Sequence, residues 1–151
     1  MNRSKNTFYF IIRLCLLLFF FVSAAHTFFA WDELTTGVTS LLCHWFAYLQ
    51  EWASLSKIVE YFINQVPALL AIGLFLQIIG ALSVLFMVAP RFGATCLLLV
   101  LIPTTFVYHP FWFQIGEAYY SELITFLKNL SLIALYILVA CRPYVLGQYK
   151  K

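Results

Sequence analysis

Five side chains able to hold a ligand or a proton stand inside or beside long apolar runs: His26, Gln77, His109, Lys128 and Asn129. An imidazole can donate, accept or exchange a proton near neutral pH. The amides of Gln77 and Asn129 donate and accept at once, and the Lys128 ammonium can pair with an anion or a carbonyl. In hydrocarbon such groups turn toward a protein interior, find a partner and mark ligand or proton sites. The four cysteines offer less. Cys15, Cys43, Cys96 and Cys141 contain no CxxC pair, and no Cys/His set has zinc spacing. They read as small apolar filler, which counts against a membrane thiol–disulfide oxidoreductase and against a metal site.

The elements that must position these residues are the apolar runs themselves, at about 8–31, 66–88, 92–108 and 123–141. Hydrocarbon about 30 Å thick is crossed by a helix of roughly 20 residues, and each run is near that length. Of 151 residues, 64% are hydrophobic and 10% charged, too little charge for a soluble domain of this size. The expected fold is therefore all-α: a four-helix transmembrane bundle forming a single domain, without Gly/Ser-rich or Pro-rich linkers. The tight 89–93 turn makes its two flanking spans antiparallel neighbours, with Pro90 stopping one helix.

The charge distribution orients the spans. Seven of nine basic residues (Arg3, Lys5, Arg13, Arg91, Arg142, Lys150 and Lys151) fall in segments that four crossings place on one side. All six acids, Asp32, Glu33, Glu51, Glu60, Glu117 and Glu122, fall in the other two connections. Basic residues are retained in the cytoplasm, so both termini are expected inside. The net charge of +3 leaves no spare basic patch for nucleic acid. A second reading makes the N-terminus a signal peptide cleaved near Ser23-Ala24-Ala25, leaving three spans. Arg13 interrupts its apolar core, and hydrophobicity runs on through Phe28, Phe29 and Trp31.

The 32–65 connection is long. Leu41, Leu42, Trp45, Phe46, Leu49 and Trp52 recur at helical spacing, as do Leu55, Ile58, Val59 and Phe62. One or two amphipathic interfacial helices are expected there, serving as a structural cap or as a functional lid.

This topology puts His26, His109, Lys128 and Asn129 in the outer half and Gln77 near the middle. Helical spacing aligns Ser23, His26, Thr27 and Ala30; Gly73, Gln77 and Ala81; and Glu122, Thr125, Lys128 and Asn129. Pro103 removes a donor from the third span and frees a carbonyl. His109 is expected to face the bundle within reach of Lys128, Asn129 or an outer carboxylate, and Glu122 or Glu117 to serve as countercharge for Lys128. Each residue also has a purely structural reading: Gln77 locking two helices, Lys128 snorkelling to headgroups, the histidines packing by hydrogen bonds.

Several segments carry a resemblance, in order along the chain. They are Gln77-Ile78-Ile79-Gly80-Ala81-Leu82, Arg91-Phe92-Gly93-Ala94, His109-Pro110-Phe111-Trp112 and Phe126-Leu127-Lys128-Asn129-Leu130, preceded by Arg13-Leu14 and Ser23-Ala24-Ala25. The sequence resembles the DoxX family of small four-helix membrane proteins. The resemblance implies a compact bundle in a bacterial cytoplasmic (inner) membrane, and little about activity. Related DoxD proteins are quinone-linked thiosulfate oxidoreductase subunits, and some DoxX members belong to membrane oxidoreductase assemblies. Gln77 departs from the Glu that many members carry, which weakens proton transfer there.

Two function classes stay open. One is a non-enzymatic scaffold or a small-molecule- and lipid-handling protein, with membrane lipids as its partners and a polar ligand site of His109, Lys128, Asn129, Gln77 and His26. The other is a subunit of a quinone-linked redox assembly, partnered by another membrane or redox subunit. With no haem pair, flavin fingerprint or thiol pair, electrons would then pass through that subunit or through a quinone. A transporter fits less well, since no inverted repeat or broken helix pair is evident.

Overall fold

The computed structural model describes residues 2–142. Lys150 and Lys151, counted on the basic side above, lie outside the described residues, as do the side chains of Arg3 and Lys5. The described residues form six α-helices and no strand: α1 (Asn2–Phe29), α2 (Trp31–Tyr48), α3 (Ala53–Asn64), α4 (Val66–Phe86), α5 (Pro90–Tyr108) and α6 (Glu117–Cys141), with a 3-10 turn at Phe111–Phe113. The all-α expectation holds. Four segments are long and apolar enough to cross a membrane: Thr7–Phe29, Val66–Phe86, Pro90–Phe113 and Glu117–Cys141.

The boundaries refine those read from sequence. The first helix breaks at Ala30, so Trp31 opens α2 instead of closing the first span. The fourth helix starts at Glu117, six residues before the apolar run at Leu123, which puts both Glu117 and Glu122 on α6. Gly116, at φ 69, supplies the left-handed turn before α6, and Glu117 complements the positive end of the helix dipole. The third helix starts at Pro90, whose ring suits a first-turn position, and ends at Tyr108 before the His109–Pro110 pair. Just after Pro103, two hydroxyls add side-chain bonds to helix carbonyls: Thr104 Oγ1 donates to the Val100 carbonyl at 2.8 Å and Thr105 Oγ1 to the Leu101 carbonyl at 2.6 Å.

The chain packs as two units, one made of the residues up to Ala24 and from Leu76 onward, the other of Ala25–Phe75. The first unit has a core drawn from four helices: Leu17 and Phe20 of α1, Ala81, Val84 and Leu85 of α4, Ala94, Leu97 and Leu101 of α5, and Ile133, Tyr136 and Val139 of α6. Two polar ties cross it. Gln77 Nε2 donates to the Phe20 carbonyl at 2.7 Å, and the Tyr136 hydroxyl donates to the Leu16 carbonyl at 3.3 Å. The Phe20 and Tyr136 rings meet edge to face, 5.4 Å apart. At the α4–α5 hairpin the backbones almost touch: a Cβ on Gly93 would lie 2.7 Å from the Gly80 carbonyl oxygen. Small residues permit this approach, which adds dispersion contacts where lipid supplies no hydrophobic drive.

The second unit holds α2, α3 and the adjoining ends of α1 and α4. Two helices thus occupy the long connection. Val38 and Leu42 are buried on α2, while Leu55, Ile58 and Phe62 form an exposed apolar stripe on α3. Tyr48 and Trp52, at the α2–α3 link, are also exposed.

Candidate functional site

The polar pair nearest to a reactive arrangement lies where α5 passes into α6. The chain leaves α5 at His109, turns through Pro110 and the 3-10 turn, and enters α6 after Gly116. This elbow brings His109 Nδ1 to 2.8 Å from Glu122 Oε2. The imidazole is the donor, since an ionised carboxylate only accepts. Both side chains are partly covered, at 25% and 34% exposure. The carboxylate holds the ring in one orientation and selects the tautomer with its proton on Nδ1. Nε2 is then the atom left to meet a ligand, as an acceptor on a neutral ring or a donor on a protonated one.

Aromatic rings brace the elbow. Phe126 of α6 lies 5.4 Å from Phe106 of α5, 5.2 Å from Phe111 and 6.3 Å from Trp112, centroid to centroid. Phe111 also meets Tyr119 at 5.8 Å. These are edge contacts, the favoured arrangement for ring quadrupoles. They fix the His-Pro-Phe-Trp segment against α6 and so hold the imidazole beside its carboxylate.

The other expected site residues are placed differently. Gln77 is buried, and its amide is committed to the Phe20 carbonyl of α1, as in the helix-locking reading. Asn129 is buried on α6. Lys128 is exposed and enters no ion pair among the described residues. The expectation that Glu122 or Glu117 would neutralise Lys128 is therefore corrected: Glu122 pairs with His109, and neither carboxylate pairs with Lys128. Lys128 is eleven residues from Glu117, about 16 Å along the helix, and six from Glu122, where six steps of about 100° turn it well away from that carboxylate. His26 is exposed, in the other unit. Among the described residues no hydrogen bond joins Gln77, His109 and Lys128 into one network.

Sequence reasoning placed Glu122 near His109 only as one of several partners, and it passed over Tyr136. The signal was present, because a phenol in the middle of an apolar span must find an acceptor. All four cysteines are free, with Cys96 buried and the others exposed. Among the described residues no three His, Cys, Asp or Glu side chains converge to hold a metal ion. No known protein family, curated protein or solved structure matches this chain.

Proposed function

We propose that this chain is a DoxX-like, multi-pass integral membrane protein, a non-enzymatic scaffold or handler of a lipid-like small molecule. Its four spans form one bundle, both termini are cytoplasmic, and its polar site lies in the outer leaflet. The carrying observation is the His109–Glu122 pair, held by the aromatic elbow at the end opposite the basic α4–α5 turn. A partly exposed imidazole, oriented by a carboxylate and followed in the chain by Phe111 and the exposed Trp112, offers one hydrogen bond near aromatic surface. That combination suits a molecule with a polar head and a ring or acyl body.

The test is the organic extract of protein purified in mild detergent. Wild type should release a bound neutral lipid or similar amphiphile that the His109→Ala and Glu122→Gln variants retain less well. Equal retention by all three would remove the site. A quinone absorbance in the wild-type extract, lost in His109→Ala, would favour the redox-assembly alternative.

A further inference from the structure

The first unit carries a second polar feature, at its opposite end. The contacts of Gln77 with Phe20 and of Phe20 with Tyr136 set a common level across α1, α4 and α6, and the contact of Leu97 with Gly80, three residues along α4, ties in α5. Arg13 lies seven residues from Phe20, Arg91 six from Leu97 and Arg142 six from Tyr136. Gly80 lies three residues beyond Gln77, so at 1.5 Å of rise per residue the three stand about 9–14 Å from the Gln77–Phe20 level, Arg91 furthest out. They face the same end, because α5 and α6 run antiparallel through their elbow and α4 and α5 through their hairpin, while α1 leaves this unit after Ala24 and α4 enters it at Leu76, on either side of the Gln77–Phe20 contact, so that α1 runs opposite to α4.

Among the described residues of this unit, no carboxylate shares this level. The described residues of this unit include two acids, Glu117 and Glu122, both at the start of α6, at the far end. Glu122 already holds His109. Arg91 and Arg142 are exposed and Arg13 is half-buried. The Arg13 Nε donates to the Tyr9 carbonyl at 3.1 Å, drawing the guanidinium toward the N-terminal end of α1 and leaving its terminal nitrogens for another acceptor. The α5 N-terminus joins the group. Its cap residue Ala89 supplies no side-chain acceptor, so the Arg91 and Phe92 amides, with the positive end of the helix dipole, add to the field.

The geometry points to an anionic-phospholipid site: Arg13, Arg91 and Arg142 form a guanidinium belt that takes a lipid phosphate at the cytoplasmic leaflet. Depth selects the occupant. Gln77 sits near the middle of its span, and half the hydrocarbon thickness is about 15 Å, so arginine stems starting about 9–14 Å out reach the headgroup phosphates. Uncompensated guanidinium at that depth favours a lipid with net negative charge over a zwitterionic one, because choline or ethanolamine would bring a second cation into the belt. The inference rests on the membrane reading, but not on the His109 site, which lies at the other end.

The test is native mass spectrometry of the full-length protein from neutral detergent, offered equal phosphatidylglycerol and phosphatidylcholine of matched chains. Wild type should retain phosphatidylglycerol in preference, each arginine contributing about fivefold. Arg13→Gln, Arg91→Gln and Arg142→Gln should each lower the preference, and the triple variant should abolish it. Lys57→Gln and His109→Ala should leave it intact. Equal retention of the two lipids by wild type would overturn the site, as would an unchanged preference in the triple variant or its loss in His109→Ala. If the triple variant does not fold, Arg91→Gln and Arg142→Gln, at exposed positions, decide, and an unchanged preference in both overturns the belt. Displacement of the lipid by millimolar inorganic phosphate would make it a general anion site and overturn the lipid assignment. Carbonate extraction of membranes separates the premises. Release of the chain defeats the membrane reading, whereas retention with equal lipid binding defeats only the belt.

Discussion

His109 and Glu122 stand thirteen residues apart in sequence, and their side chains meet at 2.8 Å. The intervening segment spends those residues on a proline, a 3-10 turn and a left-handed glycine, which reverse the chain and return α6 along α5. The pair therefore reports on the elbow as well as on the proposed site. In a double-mutant cycle, His109→Ala and Glu122→Ala should show a coupling of about 0.5–1.5 kcal/mol in unfolding from detergent micelles, allowing for their partial exposure. Additive losses would mean that the pair does not form in the membrane-embedded protein.

The Gly80–Gly93 crossing should be the least tolerant point of the α4–α5 hairpin. A Cβ at position 93 would meet the Gly80 carbonyl oxygen at 2.7 Å and Ser83 Cβ at 2.9 Å, and backbone cannot swing aside as a side chain can. Gly93→Ala should cost about 1–3 kcal/mol through overpacking. Gly73→Ala meets nothing within 4 Å and should leave stability unchanged or raise it. Thermal unfolding of both variants in one detergent checks the contrast; equal stability would show that the hairpin is looser than described.

Met87, after the end of α4, adopts φ 56, where a side chain is strained. The left-handed conformation costs a non-glycine residue roughly 1–2 kcal/mol, part of which glycine gives back as unfolded-chain entropy. Met87→Gly should thus stabilise the protein by about 0.5–1 kcal/mol. A lower midpoint in the same unfolding assay would show that Met87 contacts outweigh the strain.

Lys128 should behave unlike an ion-paired residue. It is exposed on α6 and has no carboxylate partner among the described residues. Lys128→Leu should insert and fold as well as wild type, since the span becomes more apolar. Retention of the amphiphile should nevertheless drop if the ammonium belongs to the proposed polar site. Unchanged retention would leave Lys128 as a snorkelling residue.

Topology is open to a direct measurement. In a cysteine-free background, Ser54→Cys and Lys150→Cys should label from opposite sides with an impermeant reagent. Ser54 is exposed at the start of α3, following the first of the four apolar segments. Labelling of both from the same side would defeat the four-span topology.

Sequence alone determined the solvent and the elements. Runs of about 20 apolar residues cannot be soluble loops, and the backbone inside hydrocarbon must close its own hydrogen bonds, so all-helical spans follow from composition and length. The helices of the long connection were likewise readable from the spacing of Leu41, Leu42, Trp45 and Leu49, because amphipathic periodicity is local. Pro90 marked a helix end for the same reason.

Only the tertiary structure decided which polar groups meet. Helical spacing put Glu122, Thr125, Lys128 and Asn129 along one side of α6, yet Glu122 turns to His109, Asn129 is buried, and Lys128 stays exposed without an ion pair. The choice between a locking and a ligand-binding Gln77 depended on the Phe20 carbonyl, whose nearness follows from how α1 packs on α4. Spacing along one helix fixes angles about its own axis. The partner's distance is set by the crossing of two helices, here by the contact of Gly80 with Gly93 and by the aromatic elbow around Phe126.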